Sequence, residues 1–339
     1  MKRILQILSI VVITAFLLAL FLRNSDLHQV GRIMASANPW WIAAGFAINV
    51  SALVFRAIRW RTLIGGAEPP RFYPTFFATT AGYMLSTVLP IRAGDVARPA
   101  LLARRTKVRF VEALGTVLTE RVLDLIAILT IFVYFCVVHW SDFPNARGVI
   151  RGGAVGAGSL LVAILGFLVG LYYFRPVVRR AHEWIGRIVP HRFRDAWMRF
   201  FDAFAQTLTI TERPRDFLTV TSCTAAVWLC LTAQLWVVLI GLDRPLPYDS
   251  TFLINAVATV GIAIPTPGGV GGFHKLCQWL LTTFYGFDID NSVATALLFH
   301  VVGTLPVVVV GIGLLLHEGL RWKDLTAAAS SEQPPASNP

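Results

Sequence analysis

Two short Pro/Gly elements interrupt otherwise long apolar stretches of this 339-residue chain: Leu89-Pro90-Ile91-Arg92-Ala93-Gly94-Asp95-Val96 and Ile264-Pro265-Thr266-Pro267-Gly268-Gly269-Val270-Gly271. Proline removes a backbone donor and glycine admits conformations closed to other residues, so no regular helix runs through either break. In hydrocarbon, such backbone is tolerated only where protein or a polar cavity satisfies the freed groups. Shifting the chain by the 175 residues from Pro90 to Pro265 also brings Ala78-Thr79 close to Ala258-Thr259 and aligns the flanking apolar segments. This reads as an internal duplication with one interrupted segment in each half, the arrangement in which transporters place a polar substrate. Coincidence between Pro/Gly-rich loops is the competing reading, because identity between the halves is low.

The membrane setting comes from composition. Hydrophobic residues are 55% of the chain and charged residues 14%, where a soluble chain carries roughly a quarter charged residues. Stretches 4–22, 40–58, 113–138, 152–174, 217–240 and 293–316 are each long enough to cross a bilayer as a helix, which predicts six crossings. The first reads as a retained signal anchor, since its apolar run exceeds that of a signal core and no small-x-small cleavage site follows. Regions 76–103 and 251–284 are split by their breaks and read as re-entrant hairpins. Lys and Arg concentrate in alternate connections, leaving only Arg23, Arg32, Arg147, Arg151 and Arg244 on the other side. That bias predicts an inner membrane of bacterial type with both termini cytoplasmic. Crossings two and five then run in opposite directions, so the repeats, 40–138 and 217–316, are inverted and 152–174 connects them. The expected fold is an all-α polytopic membrane protein, one domain over 1–322 with a disordered tail at 323–339.

The first break carries charge. Arg92, Asp95 and Arg98 recur every three residues, on one face of a helix that starts after Pro90 and Gly94. Free N–H groups and the positive end of the helix dipole add to two guanidiniums, whose planar forks suit phosphate. The alternative is that Arg92 or Arg98 pairs with Asp95 or snorkels to the interface. Glu120-Arg121-Val122-Leu123-Asp124 lies about two turns into the third crossing. Glu120 and Asp124 repel at i, i+4 unless cations sit nearby; Arg121 can neutralise Asp124, and Glu120 can face Arg92 or Arg98. The cluster is either a static counter-ion set or one that exchanges partners with substrate.

Other chemistry is sparse. Cys136, Cys223, Cys230 and Cys277 lie in apolar stretches without a C-x-x-C pair, so neither metal nor disulfide chemistry is expected. No Ser-His-Asp order, Walker element or dinucleotide fingerprint occurs, and no cofactor is expected. Segment 175–215 mixes arginines with Trp184, Trp197, Phe200 and Phe204 in the manner of an interfacial amphipathic helix. Membrane contact therefore accounts for the net charge of +11 without nucleic acid.

The succession Arg56-Ala57-Ile58-Arg59-Trp60, Leu89 to Pro99, Glu120 to Asp124 and Pro265 to Gly271 resembles the lysylphosphatidylglycerol synthase transmembrane-region family, also called flippase-like, over nearly the whole chain. In bifunctional members the membrane region is implicated in moving aminoacylated phosphatidylglycerol between leaflets, while a separate cytosolic domain attaches the amino acid. After residue 316 this chain has a short basic segment and a Ser/Pro/Ala-rich tail, so no transferase activity of its own is expected. Where many relatives place an acid after Pro-Gly-Gly it has His274 beside Lys275, a candidate titrating group or a hydrogen-bonded structural residue. The expectation is a protein that flips or scrambles an anionic lipid, of phospholipid or polyprenyl-phosphate type. Arg92 and Arg98 would grip the phosphate, Asp95, Glu120, Arg121 and Asp124 would organise it, and Pro265, Pro267, Gly268, Gly269 and Gly271 would shape the opposing hairpin. The alternatives are an enzyme on lipid-linked substrates, with Glu120 or Asp124 as base, or a subunit presenting lipid to a separate transferase; a homodimer is also open.

Overall fold

Proline and glycine divide the apolar stretches where their chemistry requires it. The computed structural model describes residues 2–65, 69–89, 93–174, 191–262, 264 and 266–319, which form helices and, among the described residues, no strand. In chain order these are α1 (Lys2–Leu22), α2 (Leu27–Ala35), α3 (Pro39–Ile64), α4 (Phe72–Val88), α5 (Gly94–Ala103), α6 (Phe110–Val138), α7 (Arg147–Tyr173), α8 (His191–Leu208), α9 (Pro214–Gly241), α10 (Ser250–Gly261), α11 (Gly272–Tyr285) and α12 (Ile289–His317). Among the described residues α3, α6, α7, α9 and α12 are long and apolar enough to cross a membrane. The chain is an all-α polytopic membrane protein. The remaining expected crossing, 4–22, falls within α1, which is 21 residues long and packs on α11. Pro90, Arg92, Pro265, residues 175–190 and the tail at 323–339 lie outside the described residues.

One order of elements occurs twice: a long helix, two short helices around a break, and a second long helix, first as α3 to α6 and then as α9 to α12. Helices α6 and α12 are both 29 residues long. At 1.5 Å per residue, α5, α10 and α11 reach only about 15–21 Å, short of a hydrocarbon core of about 30 Å. Each pair of short helices closes on a glycine crossing. A Cβ on Gly94 would collide with the Gly82 carbonyl oxygen, and one on Gly261 would sit 2.5 Å from the Gly272 carbonyl carbon. The second break is the longer, and the helix before it, at 12 residues against 17, is correspondingly shorter.

The second break turns through left-handed backbone at Gly268 (φ 59°), Gly269 (φ 73°) and Gly271 (φ 94°), which only glycine adopts without strain. It lies against the end of α4, since a Cβ on Gly268 would be 3.0 Å from the Thr87 carbonyl oxygen. The second break therefore packs on the helix end that precedes the first. Each hairpin has its own apolar core. One includes Phe77, Leu85, Leu102 and Val117 and takes Val307 and Leu315 from α12. The other includes Leu239, Ile254, Leu281 and Phe299 and takes Phe21 and Phe135 from α1 and α6. Helices α3 and α9 join the units along their length, and Gly45, set against Val302 and Val237, permits the close approach typical of membrane helices. Helices α7 and α8, the latter the described part of the amphipathic segment, both pack on α6.

The end of each unit's last helix holds the base of the other unit's hairpin. Beyond α6, His139 meets Asp142 and, before α10, Asp249, both at 2.7 Å. Beyond α12, Glu318 pairs with Arg105 at 2.7 Å and accepts a hydrogen bond from the Tyr73 hydroxyl at 2.6 Å.

Candidate functional site

The last turns of α3 carry Arg56, Arg59 and Trp60, α5 carries Asp95 and Arg98, and α6 carries Glu120, Arg121 and Asp124. Their helices converge, and the charged ends form one network. Glu120 lies between two guanidiniums: Arg59 Nη2 is 3.3 Å from its Oε1 and Arg98 Nη2 pairs with its Oε2. All three side chains are at most 1% exposed. Asp124 takes Arg59 Nη1 on Oδ1 at 2.7 Å and Arg121 Nη1 on Oδ2 at 3.4 Å. Arg121 also reaches Asp95 at 3.5 Å and donates to the Tyr83 hydroxyl at 3.1 Å. Arg98 spreads its face over the Trp60 ring at 4.8 Å, and the Trp60 indole N–H is tied to Thr116 at 2.9 Å. Three cations thus balance three anions, as burial demands.

Arg56 is the surplus charge. It makes no ion pair among the described residues and lies over the Tyr83 ring at 4.2 Å. Its Nε and that of Arg121 are buried without hydrogen-bond partners. Both residues, with Tyr83 and Asp124, line a cavity of about 470 Å³ bounded by α3, α4, α6, α9, α10 and α12 and by Gly268 of the second break. Asn49, Trp228, Gln234, Asn255 and His300 also line it. A second cleft of about 940 Å³ opens beside the α5–α6 connection, with Arg71, Arg105, Lys107, Arg109 and Arg199 on its wall against Glu112 and Asp202.

Asp95, Arg98, Glu120, Arg121 and Asp124, singled out from sequence, are gathered in this network, while Arg92 lies outside the described residues. Arg98 is committed to Glu120 inside the protein and does not line the cavity; Arg121 and Asp124 do. Gly94 sits at the crossing of the first hairpin and Pro267, Gly268 and Gly269 form the turn of the second. His274 is buried against Phe21 and His300, with ring centroids 5.1 and 4.6 Å away, and its Nδ1 accepts the Gly271 N–H at 3.3 Å. That is the geometry of a residue fastening a helix start. Sequence reasoning passed over Arg56 and Arg59 as site residues, although their i, i+3 spacing near the end of an apolar stretch was a signal. It also missed Asn49, Gln234 and Asn255, lone amides in apolar stretches, whose spacing signals nothing. Among the described residues, no group of three His, Cys, Asp or Glu side chains is placed to hold a metal ion.

A Haloferax volcanii protein named glycosyltransferase AglD is 24% identical over 333 aligned positions, which cover 90% of this chain and 53% of that protein. The chain thus spans about half the length of that relative. The family model described as the lysylphosphatidylglycerol synthase TM region matches residues 6–311. With helices, breaks and intramembrane charges in that order, the chain belongs to the lysylphosphatidylglycerol synthase transmembrane-region family.

Proposed function

We propose that this protein moves an anionic lipid between leaflets through the cavity at the two breaks, with the lipid phosphate held by Arg56 and Arg121. The carrying observation is that Arg56, which makes no ion pair among the described residues, lies with the unsatisfied Nε of Arg121 on the wall of that cavity. Buried donors without partners are rare, and a phosphate supplies the acceptors they lack. In this reading Arg98, Arg59 and Glu120 hold the frame, Arg121 is fixed by Asp95 and Asp124, and the basic cleft by α5 and α6 collects headgroups at the cytoplasmic face. In this reading the two units form an inverted repeat in a bacterial inner membrane with both termini inside, an orientation that the Lys/Arg distribution supports. Their hairpins enter from opposite sides, so rearrangement at the junction of the breaks exposes one site to either leaflet. Residues 1–322 act as one domain.

The test is transbilayer movement of fluorescent anionic and zwitterionic lipids in proteoliposomes. Wild type speeds the anionic lipid, while Arg56→Ala loses most of the rate and keeps a normal melting profile in detergent. Wild-type rates equal to empty vesicles would refute translocation. A second reading, service to a transferase acting on lipid-linked substrates, draws on the printed name of the Haloferax volcanii relative. Transfer from a sugar nucleotide to polyprenyl phosphate by the purified chain would favour an enzyme, and transfer only with an added membrane fraction would favour a partner subunit.

A further inference from the structure

Part of the cavity wall is built for hydrogen bonding without charge. Asn49 (5% exposed), Gln234 (1%), Asn255 (5%) and Trp228 (6%) all line it and are all buried. Each has a side-chain polar atom with no hydrogen-bond partner: Asn49 Oδ1, Gln234 Nε2, Asn255 Nδ2 and Trp228 Nε1. The Asn49 amide is held by its own Nδ2, which donates to the Gly303 carbonyl at 2.9 Å. Its oxygen is left as an acceptor among three donors. Acyl chains would leave all four groups unmatched, at a desolvation cost for each. Hydroxyls, which donate and accept at once, match the set.

Position and charge narrow the ligand further. Asn49 and Arg56 are seven residues apart on one face of α3, so the neutral corner lies roughly 10 Å along the helix from the phosphate corner. One headgroup can therefore extend from the first to the second. The cavity lining contains one carboxylate, Asp124, and both of its oxygens are occupied by Arg59 and Arg121. A cationic aminoacyl headgroup finds no free partner there.

We infer that the cavity selects a lipid whose phosphate carries a neutral, polyhydroxylated group, a sugar or another polyol, read by Asn49, Gln234, Asn255 and Trp228. This rests on the phosphate reading of Arg56 and Arg121 and names the chemistry beyond the phosphate. The test measures binding of polyprenyl phosphate, polyprenyl hexosyl phosphate, phosphatidylinositol and lysyl-phosphatidylglycerol to the full purified chain in detergent. Wild type binds a polyol-bearing lipid about tenfold more tightly than bare polyprenyl phosphate, the scale of one or two hydrogen bonds, and binds the lysyl lipid no better than the bare one. The hexosyl and inositol arms distinguish an isoprenoid from a diacyl source. Gln234→Leu and Asn255→Leu abolish the preference and leave bare phosphate binding within about twofold, whereas Arg56→Ala weakens every lipid. Equal wild-type affinity for hexosyl, inositol and bare phosphates, or tightest binding of the lysyl lipid, overturns the polyol site while phosphate recognition stands. That comparison needs no variant to fold. Absence of any phosphate-dependent binding removes both readings.

Discussion

Glu120 is the residue on which the buried charges turn, because one carboxylate answers both Arg59 and Arg98. Removing it leaves two guanidiniums in a dry interior, and breaking a buried pair from one side costs about 3–5 kcal/mol. Glu120→Gln is therefore expected to lower the melting temperature in detergent steeply, whereas Arg56→Ala, which breaks no pair, leaves it near wild type. If Glu120→Gln melts like wild type yet fails in transport, the cluster exchanges partners during the cycle and is no static frame. The charged part of this site was legible in the sequence, since an arginine, aspartate or glutamate deep in an apolar stretch has to be answered by another charge. Arg121 with Asp124, and Glu120 with Arg92 or Arg98, follow from that rule. Which arginine is left over does not, because the count closes only once α3 is laid beside α5 and α6.

At the scale of elements, the hairpins owe their shape to glycines that face glycines. Prolines announce that a helix stops, and that much was legible; the crossing partner, Gly82 for Gly94 and Gly261 for Gly272, is set by the packed hairpin and leaves no local signal. Gly94→Ala and Gly261→Ala each place a methyl group against backbone that cannot rotate aside. Overpacking of this kind costs about 1–3 kcal/mol or more. Gly166→Ala in α7 meets nothing within 4 Å and is expected to be neutral or to gain up to about 1 kcal/mol from helix propensity. Melting curves in one detergent check all three, and equal effects across them would show that the crossings do not limit the fold.

Across the whole molecule, the two units are fastened at opposite corners by clasps of different chemistry: Glu318 with Arg105 and Tyr73 at one, His139 with Asp142 and Asp249 at the other. Each imidazole nitrogen of His139 faces a carboxylate, and the hydrogen bond to Asp142 raises its pKa above the ordinary 6.5. In return His139 holds Asp142 below the ordinary 3.8. The raised histidine contributes stability that is complete below 6.5 and is lost as pH climbs through its folded value. The lowered aspartate contributes above 3.8 and loses that contribution as pH falls through its own folded value. The clasp therefore holds best in weakly acidic solution and loosens on the alkaline side, freeing the start of α10 from the end of α6. Asp142 is 55% exposed and His139 21%, so the effect is modest and shrinks as salt screens it. The melting temperature of wild type relative to His139→Gln should be highest near pH 5–6 and converge with the variant as pH rises past the raised histidine value. A difference that instead grows with pH would mean that His139 fastens the helix end as a neutral ring, with its stacking on Phe135 at 4.7 Å carrying the contact.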